Sequence, residues 1–206
     1  MSPDLQRSVL SPRKMNVLYI SHATLHSQAS QALFQAVKKF CDQGHNVYFL
    51  SCDASFQKDG PQKVDGFESP NLHYLGLRPP FLKILKSKLI PGGVKAWLRL
   101  MVLIFKTNYA AAKIIRSHSI DVICGYEVLG AVAARILNLR YSLPVFTRFQ
   151  GTILKDKLGL SKFLLWYRYG AFVLGLRSPG DLTIMTDDGT HGDEVLHLLN
   201  APVKNL

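Results

Sequence analysis

Residues 16–53 read NVLYISHATLHSQASQALFQAVKKFCDQGHNVYFLSCD, and this stretch decides the fold. Short apolar runs at residues 17–20 and 47–50 have the β-branched and aromatic content of buried strands. Between them, apolar residues recur at the spacing of one helix face: Ala29, Ala32, Leu33, Ala36, Val37 and Phe40. Gly44 follows, where a helix C-cap favours a residue without a Cβ. The pattern predicts strand, helix and strand, the unit that joins neighbouring parallel strands.

The same alternation continues to the end of the chain. Further strands are predicted at residues 71–77, 121–124, 144–148 and 182–185, and further helices at 81–90, 94–118, 128–139, 162–176 and 193–199. About six strands alternating with five or six helices predict an α/β fold with a Rossmann-like parallel sheet and helices on both faces. Because ligands of such folds bind beyond the carboxyl ends of the strands, the polar loop at residues 21–28 is expected to face a site.

Several local features carry their own expectations. Residues 53–70 are rich in Gly, Pro, Asp, Lys and Ser and are predicted to form an exposed loop. Residues 125–127 are expected to form a turn, Ser161 to cap the helix that follows it, and Thr190 to cap the last helix. The helix at 94–118 is apolar around most of its surface, so it is predicted to be largely buried. Its basic residues form one narrow stripe: Lys95, Arg99, Lys106 and Lys113.

The charge of the chain points to an anionic partner. The formal net charge is +11, and residues 69–120 contain no Asp or Glu. Nucleic acid, anionic lipid headgroups and phosphorylated substrates are the classes such a surface attracts. Within this block, residues 81–90 alternate lysines with Leu and Ile at helical spacing, as in helices that lie on membrane surfaces.

Other features bear on the compartment of the protein. Cys41, Cys52 and Cys124 have no C-x-x-C spacing, so they are predicted to be buried thiols in a reducing, cytoplasmic environment. Residues 1–14 lack the apolar core of a signal peptide and are expected to be a disordered leader. The most apolar windows are shorter than the ~20 residues of a membrane span.

Motifs that would identify common chemistries are missing from the sequence. It contains no G-x-G, no P-loop, no G-x-S-x-G and no D-x-D. His22 and His26 are four residues apart, but both belong to the predicted loop at 21–28 and not to a helix, so they do not form the histidine pair of a zinc helix. Asp187 and Asp188 lie at a strand end and are expected to be turn and capping residues. No metal site is predicted.

Polar side chains follow three predicted strands and form the candidate site. The first group is His26, Ser27 and Gln28, just before the first helix. The free N–H groups at the start of a helix bind anions. The second and third groups are Tyr126 with Glu127, and Arg148, Gln150, Gly151 and Thr152 followed by Lys155. Glu127 and Gln150 could hydrogen-bond sugar hydroxyls, and Arg148 and Lys155 could hold a phosphate or acidic group.

Five segments, taken in order, resemble the N-terminal half of a two-domain glycosyltransferase of the GT-B type, family 4. They are NVLYIS with the loop and helix after it (residues 16–40), GHNV (44–47), DVICGYE (121–127), FTRFQGT (146–152) and IMTDDGTHGDEVL (184–196). The resemblance covers residues 16–206. It implies that residues 15–206 form the acceptor-binding domain and that the donor domain is absent, so this piece should not transfer sugar by itself.

The resemblance also implies a reaction. Such enzymes are retaining and metal-independent, need no cofactor, and transfer sugar from a nucleotide-sugar to a glycan or lipid-linked acceptor. His26, Ser27 and Gln28 would lie on the donor-phosphate side. The acceptor side would be formed by Tyr126, Glu127, Arg148, Gln150, Gly151, Thr152 and Lys155, with Gln150 and Glu127 as the catalytic candidates. The basic block then suggests peripheral attachment to the inner face of an anionic membrane.

Two departures from the family pattern concern the chemistry. Many relatives have a Gly-Gly pair in the first loop, where this chain has His26, Ser27 and Gln28. Their fifth strand often ends in His-Gly, where this chain has Gln150 and Gly151. A glutamine does not titrate near neutral pH, which puts proton transfer at this position in doubt.

Two alternatives stay open at this point. One is a non-enzymatic basic α/β module that binds nucleic acid or a membrane, although the aromatic residues do not interleave with Lys and Arg on a strand, so no nucleic acid is expected. The other is a different nucleotide-using α/β enzyme, which the missing G-x-G and P-loop disfavour.

Overall fold

The computed structural model describes residues 13–25, 31–79, 91–186 and 189–206. In these residues the strands are β1 (Asn16–Ser21), β2 (Asn46–Cys52), β3 (Gly60–Pro61), β4 (Leu72–Leu77), β5 (Val122–Tyr126), β6 (Val145–Phe149) and β7 (Leu182–Met185). The α-helices are α1 (Gln31–Asp42), α2 (Gly92–Ser117), α3 (Glu127–Tyr141), α4 (Lys162–Leu176) and α5 (Gly192–Leu198).

The strands form one sheet in the order β3-β4-β2-β1-β5-β6-β7. Every pairing is parallel except that of β3 with β4. In register, Val17 of β1 lies between Val47 of β2 and Val122 of β5. The predicted Rossmann-like parallel sheet is therefore confirmed. The two-residue β3 was not predicted, because Gly60–Pro61 has no apolar pattern to indicate a strand.

Helices cover the two faces of the sheet unequally. On one face, Leu33, Val37 and Cys41 of α1 pack on β1 and β2. On the other face, α2, α3 and α4 pack together over the core that contains Leu18 and Leu50. All three cysteines are buried and free, as predicted.

A close approach of α3 to the sheet places the start of this helix at the carboxyl ends of β1 and β5. A Cβ built on Gly130 would collide with the carbonyl oxygen of Ile20, and one on Gly125 would lie 2.6 Å from the carbonyl oxygen of Gly130. Glycine at both positions lets the backbones of helix and strand touch. The first turn of α3 is thereby held at the edge where ligands of such folds bind.

Some local predictions were right and others wrong. Ser161 caps α4, since its Oγ accepts the N–H of Leu164. No turn forms at residues 125–127: Gly125 and Tyr126 end β5, and Glu127 begins α3. Thr190 does not cap α5, which begins after His191.

The loop between β2 and β4 is not simply exposed. Three of its side chains are buried beside α1: Phe56, Val64 and Phe67. They pack with Phe49 of β2 and Tyr74 of β4 and so cover this part of the sheet. The predicted helix at 81–90 and most of the predicted leader, residues 1–12, lie outside the described residues.

The burial predicted for α2 was wrong in part. Its core-facing side is buried at Leu100, Ile104 and Ala111, but another side is open to solvent. The exposed apolar residues on α2 are Val94, Leu98, Met101, Phe105 and Tyr109. An apolar pattern around a whole helix shows that the helix is hydrophobic. It does not show which sides of the helix are buried against other elements.

Candidate functional site

A pocket of about 560 Å³ opens at the carboxyl ends of β5 and β6, beneath the loop that follows β1. One side of it is polar, with His22, Glu127, Gln150, Thr152 and Thr190. The rest is apolar and comes mainly from α2, α3, α4 and the loop after β6. A volume of this size is typical of small-molecule sites.

Glu127 joins the ends of two neighbouring strands. It is the first residue of α3 and has φ 58, a left-handed conformation that costs a non-glycine residue free energy. Its Oε1 accepts the backbone N–H of Gln150 at 2.7 Å. The carboxylate is thus fixed beside Gln150, at the polar side of the pocket.

The loops after β6 and β7 are tied together in a similar way. The backbone N–H of Thr152 donates to Oγ1 of Thr190 at 3.0 Å, and Oγ1 of Thr152 accepts the N–H of Leu154 at 3.1 Å. Gly151, which precedes Thr152, has φ 134, a conformation that favours glycine. These bonds hold the chain at residues 150–154 in a fixed path along the pocket.

Two buried serines position the start of the first loop. Oγ of Ser21 accepts the N–H of Ala23 at 2.9 Å, and Oγ of Ser51 donates to the carbonyl of Ala23 at 3.0 Å. Between these anchors, His22 lines the pocket. Desolvation by the surrounding chain lowers the pKa of His22, and the charge of Asp53 opposes this with a smaller raising effect.

Tyr126 is buried at the end of β5, and burial, with a smaller effect of Glu127, raises its pKa to about 12. Arg148 lies on the α1 side of the sheet, where its charge acts on Tyr19, Cys124 and Tyr126. Among the described residues, the Tyr126 hydroxyl and Arg148 Nε find no hydrogen-bond partner. Arg148 does not line the pocket, because alternate residues of β6 face opposite sides.

The predicted site residues therefore divide into three groups. Tyr126, Glu127, Gln150, Gly151 and Thr152 come together at the pocket. Arg148 lies on the other face of the sheet, and Lys155 is exposed in the 3₁₀ turn Lys155–Lys157. The remaining predicted residues lie outside the described residues: His26, Ser27, Gln28, Asp187 and Asp188.

The apolar part of the pocket was not predicted. Its side chains include Leu100 and Leu103 of α2, Phe149 and Ile153, and Phe172 of α4. In the sequence these are ordinary apolar positions, and no motif separates them from the core. Only the packing of α2 and α4 beside the strand ends brings them to the site.

The sequence and the structure of this chain were compared with those of known proteins. No protein-family model and no curated protein matches the sequence. A sucrose-phosphate synthase from Thermosynechococcus elongatus is similar in structure, with TM-score 0.54 and 13% identity over 82% of this chain and 42% of that one. A shorter chain of that synthase gives TM-score 0.52 and 15% identity over 93% and 84%.

Arabidopsis thaliana UGT89C1, complexed with UDP-L-rhamnose, gives TM-score 0.50 and 14% identity over 84% of this chain and 45% of that one. This chain thus spans less than half the length of the longer synthase chain and of UGT89C1. Identities this low show the fold alone. That fold, a seven-stranded and mostly parallel sheet flanked by helices, matches the Rossmann-like halves of GT-B glycosyltransferases.

Proposed function

We propose that this chain is the acceptor-binding half of a glycosyltransferase that takes its sugar from a nucleotide-sugar. The observation that carries the proposal is the pocket at the carboxyl ends of β5 and β6. There Glu127 and Gln150 are fixed side by side, with Thr152 and Thr190 next to them. Carboxylate, amide and hydroxyl groups in one place are what recognition of sugar hydroxyls requires.

The apolar part of the same pocket favours one class of acceptor. Leu103, Ile153 and Phe172 would contact an apolar group of the acceptor while the polar side binds its sugar. A lipid-linked sugar has both parts, whereas a free glycan would leave the apolar wall unused. The proposal therefore includes a lipid-linked acceptor.

The proposed roles follow from what the side chains can do. Glu127 would accept a hydrogen bond from an acceptor hydroxyl, and Gln150 would orient that hydroxyl without exchanging a proton. The resemblance to family 4 supports retention of configuration, a reaction without a metal, and a donor phosphate bound beside the first loop. Each of these belongs to the proposal.

Binding of alkyl glycosides tests the acceptor site in the 206-residue chain. We expect octyl glycosides, below their micellar concentration, to bind at least about tenfold more tightly than methyl glycosides, because the alkyl chain buries apolar surface. Ile153→Gln and Phe172→Gln should weaken octyl glycoside binding about fivefold, and Gln150→Ala should weaken both ligands. NMR titration measures each dissociation constant.

Leu139→Gln is the matched control, since Leu139 is exposed on α3 and does not line this pocket. Equal affinity for methyl and octyl glycosides, or equal weakening by the control, would contradict the acceptor assignment. Transfer itself is tested on the polypeptide that the gene encodes, including any sequence that follows Leu206. The assay follows labelled sugar from a panel of nucleotide-sugars into lipid extract.

A further inference from the structure

The exposed side of α2 is a continuous apolar stripe. At 3.6 residues per turn its five members, Val94, Leu98, Met101, Phe105 and Tyr109, fall within about 80° of one another. Phe105 is 75% exposed, Tyr109 60% and Met101 56%. The stripe is about 22 Å long, at 1.5 Å per residue. Isolated exposed apolar residues are ordinary, but a row of this length is not.

The start of α4 extends the stripe. Phe163 is 79% exposed and stacks on the partly exposed Tyr167, with 6.1 Å between ring centroids. A Cβ on Gly93 would meet the Tyr167 ring, so this ring lies directly beside the α2 residue that precedes Val94. We call the exposed apolar residues of α2, together with Phe163 and Tyr167, the α2–α4 face.

Basic residues border this face, and no acidic residue belongs to either helix. Lys95, Arg99 and Lys113 follow one edge of the stripe, within about 40° of one another around α2. Lys113 also lies over the ring of Tyr109, 5.9 Å from its centroid. Lys162 and Arg168 are exposed on α4. The chain has 14 acidic residues, yet α2 and α4 contain none.

We propose that the α2–α4 face docks on the surface of an anionic lipid bilayer, with Met101, Phe105 and Phe163 inserted among the lipids. Exposed aromatic and aliphatic side chains edged by Lys and Arg suit the boundary between headgroups and acyl chains. A second copy of the chain fits poorly, since the stripe on each copy is edged by cations, and Asp59 beside that edge is already ion-paired with Nζ of Lys106 at 2.8 Å. No described helix is long and apolar enough to cross a membrane.

The proposal stands apart from the proposed function, because binding to vesicles needs neither a donor sugar nor an acceptor. It does place the pocket near the bilayer, since Leu100 of α2 and Phe172 of α4 line that pocket. A failure of glycoside binding would leave the docking surface untouched, and a failure of vesicle binding would leave the pocket untouched.

Vesicle flotation tests the docking surface. We expect the chain to bind vesicles of phosphatidylcholine with phosphatidylglycerol and not vesicles of phosphatidylcholine alone. Lys95→Gln with Arg99→Gln should weaken binding about 25-fold, at roughly fivefold for each charge near the surface. The control pair, Lys39→Gln on α1 with Lys63→Gln in the loop between β2 and β4, removes the same charge from exposed positions on the opposite face of the sheet and should change binding much less.

Insertion is tested separately. Met101→Ser with Phe105→Ser should weaken vesicle binding by about tenfold or more, because less apolar surface enters the bilayer. Leu139→Ser with Leu198→Ser removes two equally exposed apolar side chains elsewhere and should leave binding unchanged. Circular dichroism and thermal unfolding establish that each variant is folded.

Four results would overturn the proposal. The first is equal binding to neutral and anionic vesicles. The second is equal weakening of vesicle binding by the test pairs and their control pairs. The third is loss of vesicle binding in a longer polypeptide, if the gene encodes one. The fourth is a stable dimer in sedimentation that Met101→Ser with Phe105→Ser converts to a monomer while vesicle binding persists, since the face would then be a protein interface.

Discussion

Glu127 shows how one residue sets the geometry of the pocket. Its backbone has φ 58, which costs a non-glycine residue about 1–2 kcal/mol. The conformation turns the chain from β5 directly into α3 and aims the carboxylate at the N–H of Gln150. A glycine would adopt this backbone conformation more readily but would offer no acceptor to that N–H group.

Substitutions at Glu127 can separate the strain from the hydrogen bond. Glu127→Ala keeps the strained backbone and removes the acceptor, so it should destabilise the fold by about 1–2 kcal/mol. Glu127→Gly removes the acceptor but relieves the strain, so its cost should be about 1 kcal/mol smaller. Urea unfolding gives both values, and equal costs for the two variants would show that the backbone is not strained.

Asp181 should make stability depend on pH in the acid range. Its carboxylate accepts a hydrogen bond from Nζ of Lys204 at 2.9 Å, which is the main cause of its lowered pKa, and another from the N–H of Val145 at 3.1 Å. Because the pKa is lower in the folded state, this stabilisation is present above the ordinary aspartate value of about 3.9. It is lost as the pH falls through the folded-state pKa.

At neutral pH, Asp181→Asn should therefore cost about 0.5–1 kcal/mol, a small value because the pair is largely exposed. The difference between the variant and the natural chain should disappear well below the ordinary aspartate pKa. Thermal unfolding across this range measures it. A difference that stays constant down to acid pH would show that the charge of Asp181 contributes nothing.

At the scale of elements, the contact of α3 with β1 depends on Gly130. Alanine there would gain about 1 kcal/mol of helix propensity. The added Cβ would nevertheless collide with the carbonyl of Ile20, which is backbone and cannot move aside. We expect Gly130→Ala to destabilise the protein by about 2–3 kcal/mol in urea unfolding, net of that gain.

Gly92→Ala is the control for this prediction, since a Cβ at Gly92, in the first turn of α2, meets nothing within 4 Å. It should be neutral or slightly stabilising. If Gly130→Ala proved as mild as Gly92→Ala, α3 would not be pressed against β1, and the position of Glu127 at the pocket would need another cause.

Helix α2 is covered along one side only. Leu100 and Ile104 in the middle of the helix are buried in the core, whereas their sequence neighbours Met101 and Phe105 are 56% and 75% exposed. Because successive residues of a helix are about 100° apart, neighbours in the sequence fall on different sides of it. A sequence that is apolar around the whole helix can therefore leave one side open to solvent along its length.

At the scale of the whole molecule, the end of the chain returns to the edge of the sheet. The N–H of Thr183 in β7 donates to the carbonyl of Asn205 at 2.8 Å, and Nδ2 of Asn205 donates to the carbonyl of Asp181 at 2.9 Å. The last residues thus occupy part of the open edge of β7. An edge strand with free backbone groups would otherwise be available to other chains.

Deleting residues 203–206 should release this edge. We expect the Thr183 amide to exchange its hydrogen about tenfold faster, the equivalent of about one hydrogen bond. The amide of Ile20 in the central strand β1 serves as the internal control and should change only as far as global stability does. Unchanged exchange at Thr183 would show that the terminal contact does not form in solution.

Much of the fold followed from local patterns. The order of the elements, the parallel sheet and the bounds of α4 and β7 were predicted from apolar spacing and from the cap at Ser161. The polar residues at the ends of β5 and β6 were also predicted to meet, because the carboxyl ends of parallel strands share one edge. The apolar wall of the pocket and the exposed side of α2 were not.

The sequence by itself determined which segments are helices and strands and at which edge of the sheet the polar side chains gather, because periodicity and strand direction are properties of the chain. Only the tertiary structure decided that Glu127 holds the N–H of Gln150, on which face of the sheet the pocket opens, and that one side of α2 stays uncovered. Those outcomes depend on which helices pack against each other and against the sheet. The residues that make these contacts are far apart in the sequence, and apolar spacing within one helix or strand does not specify its partner.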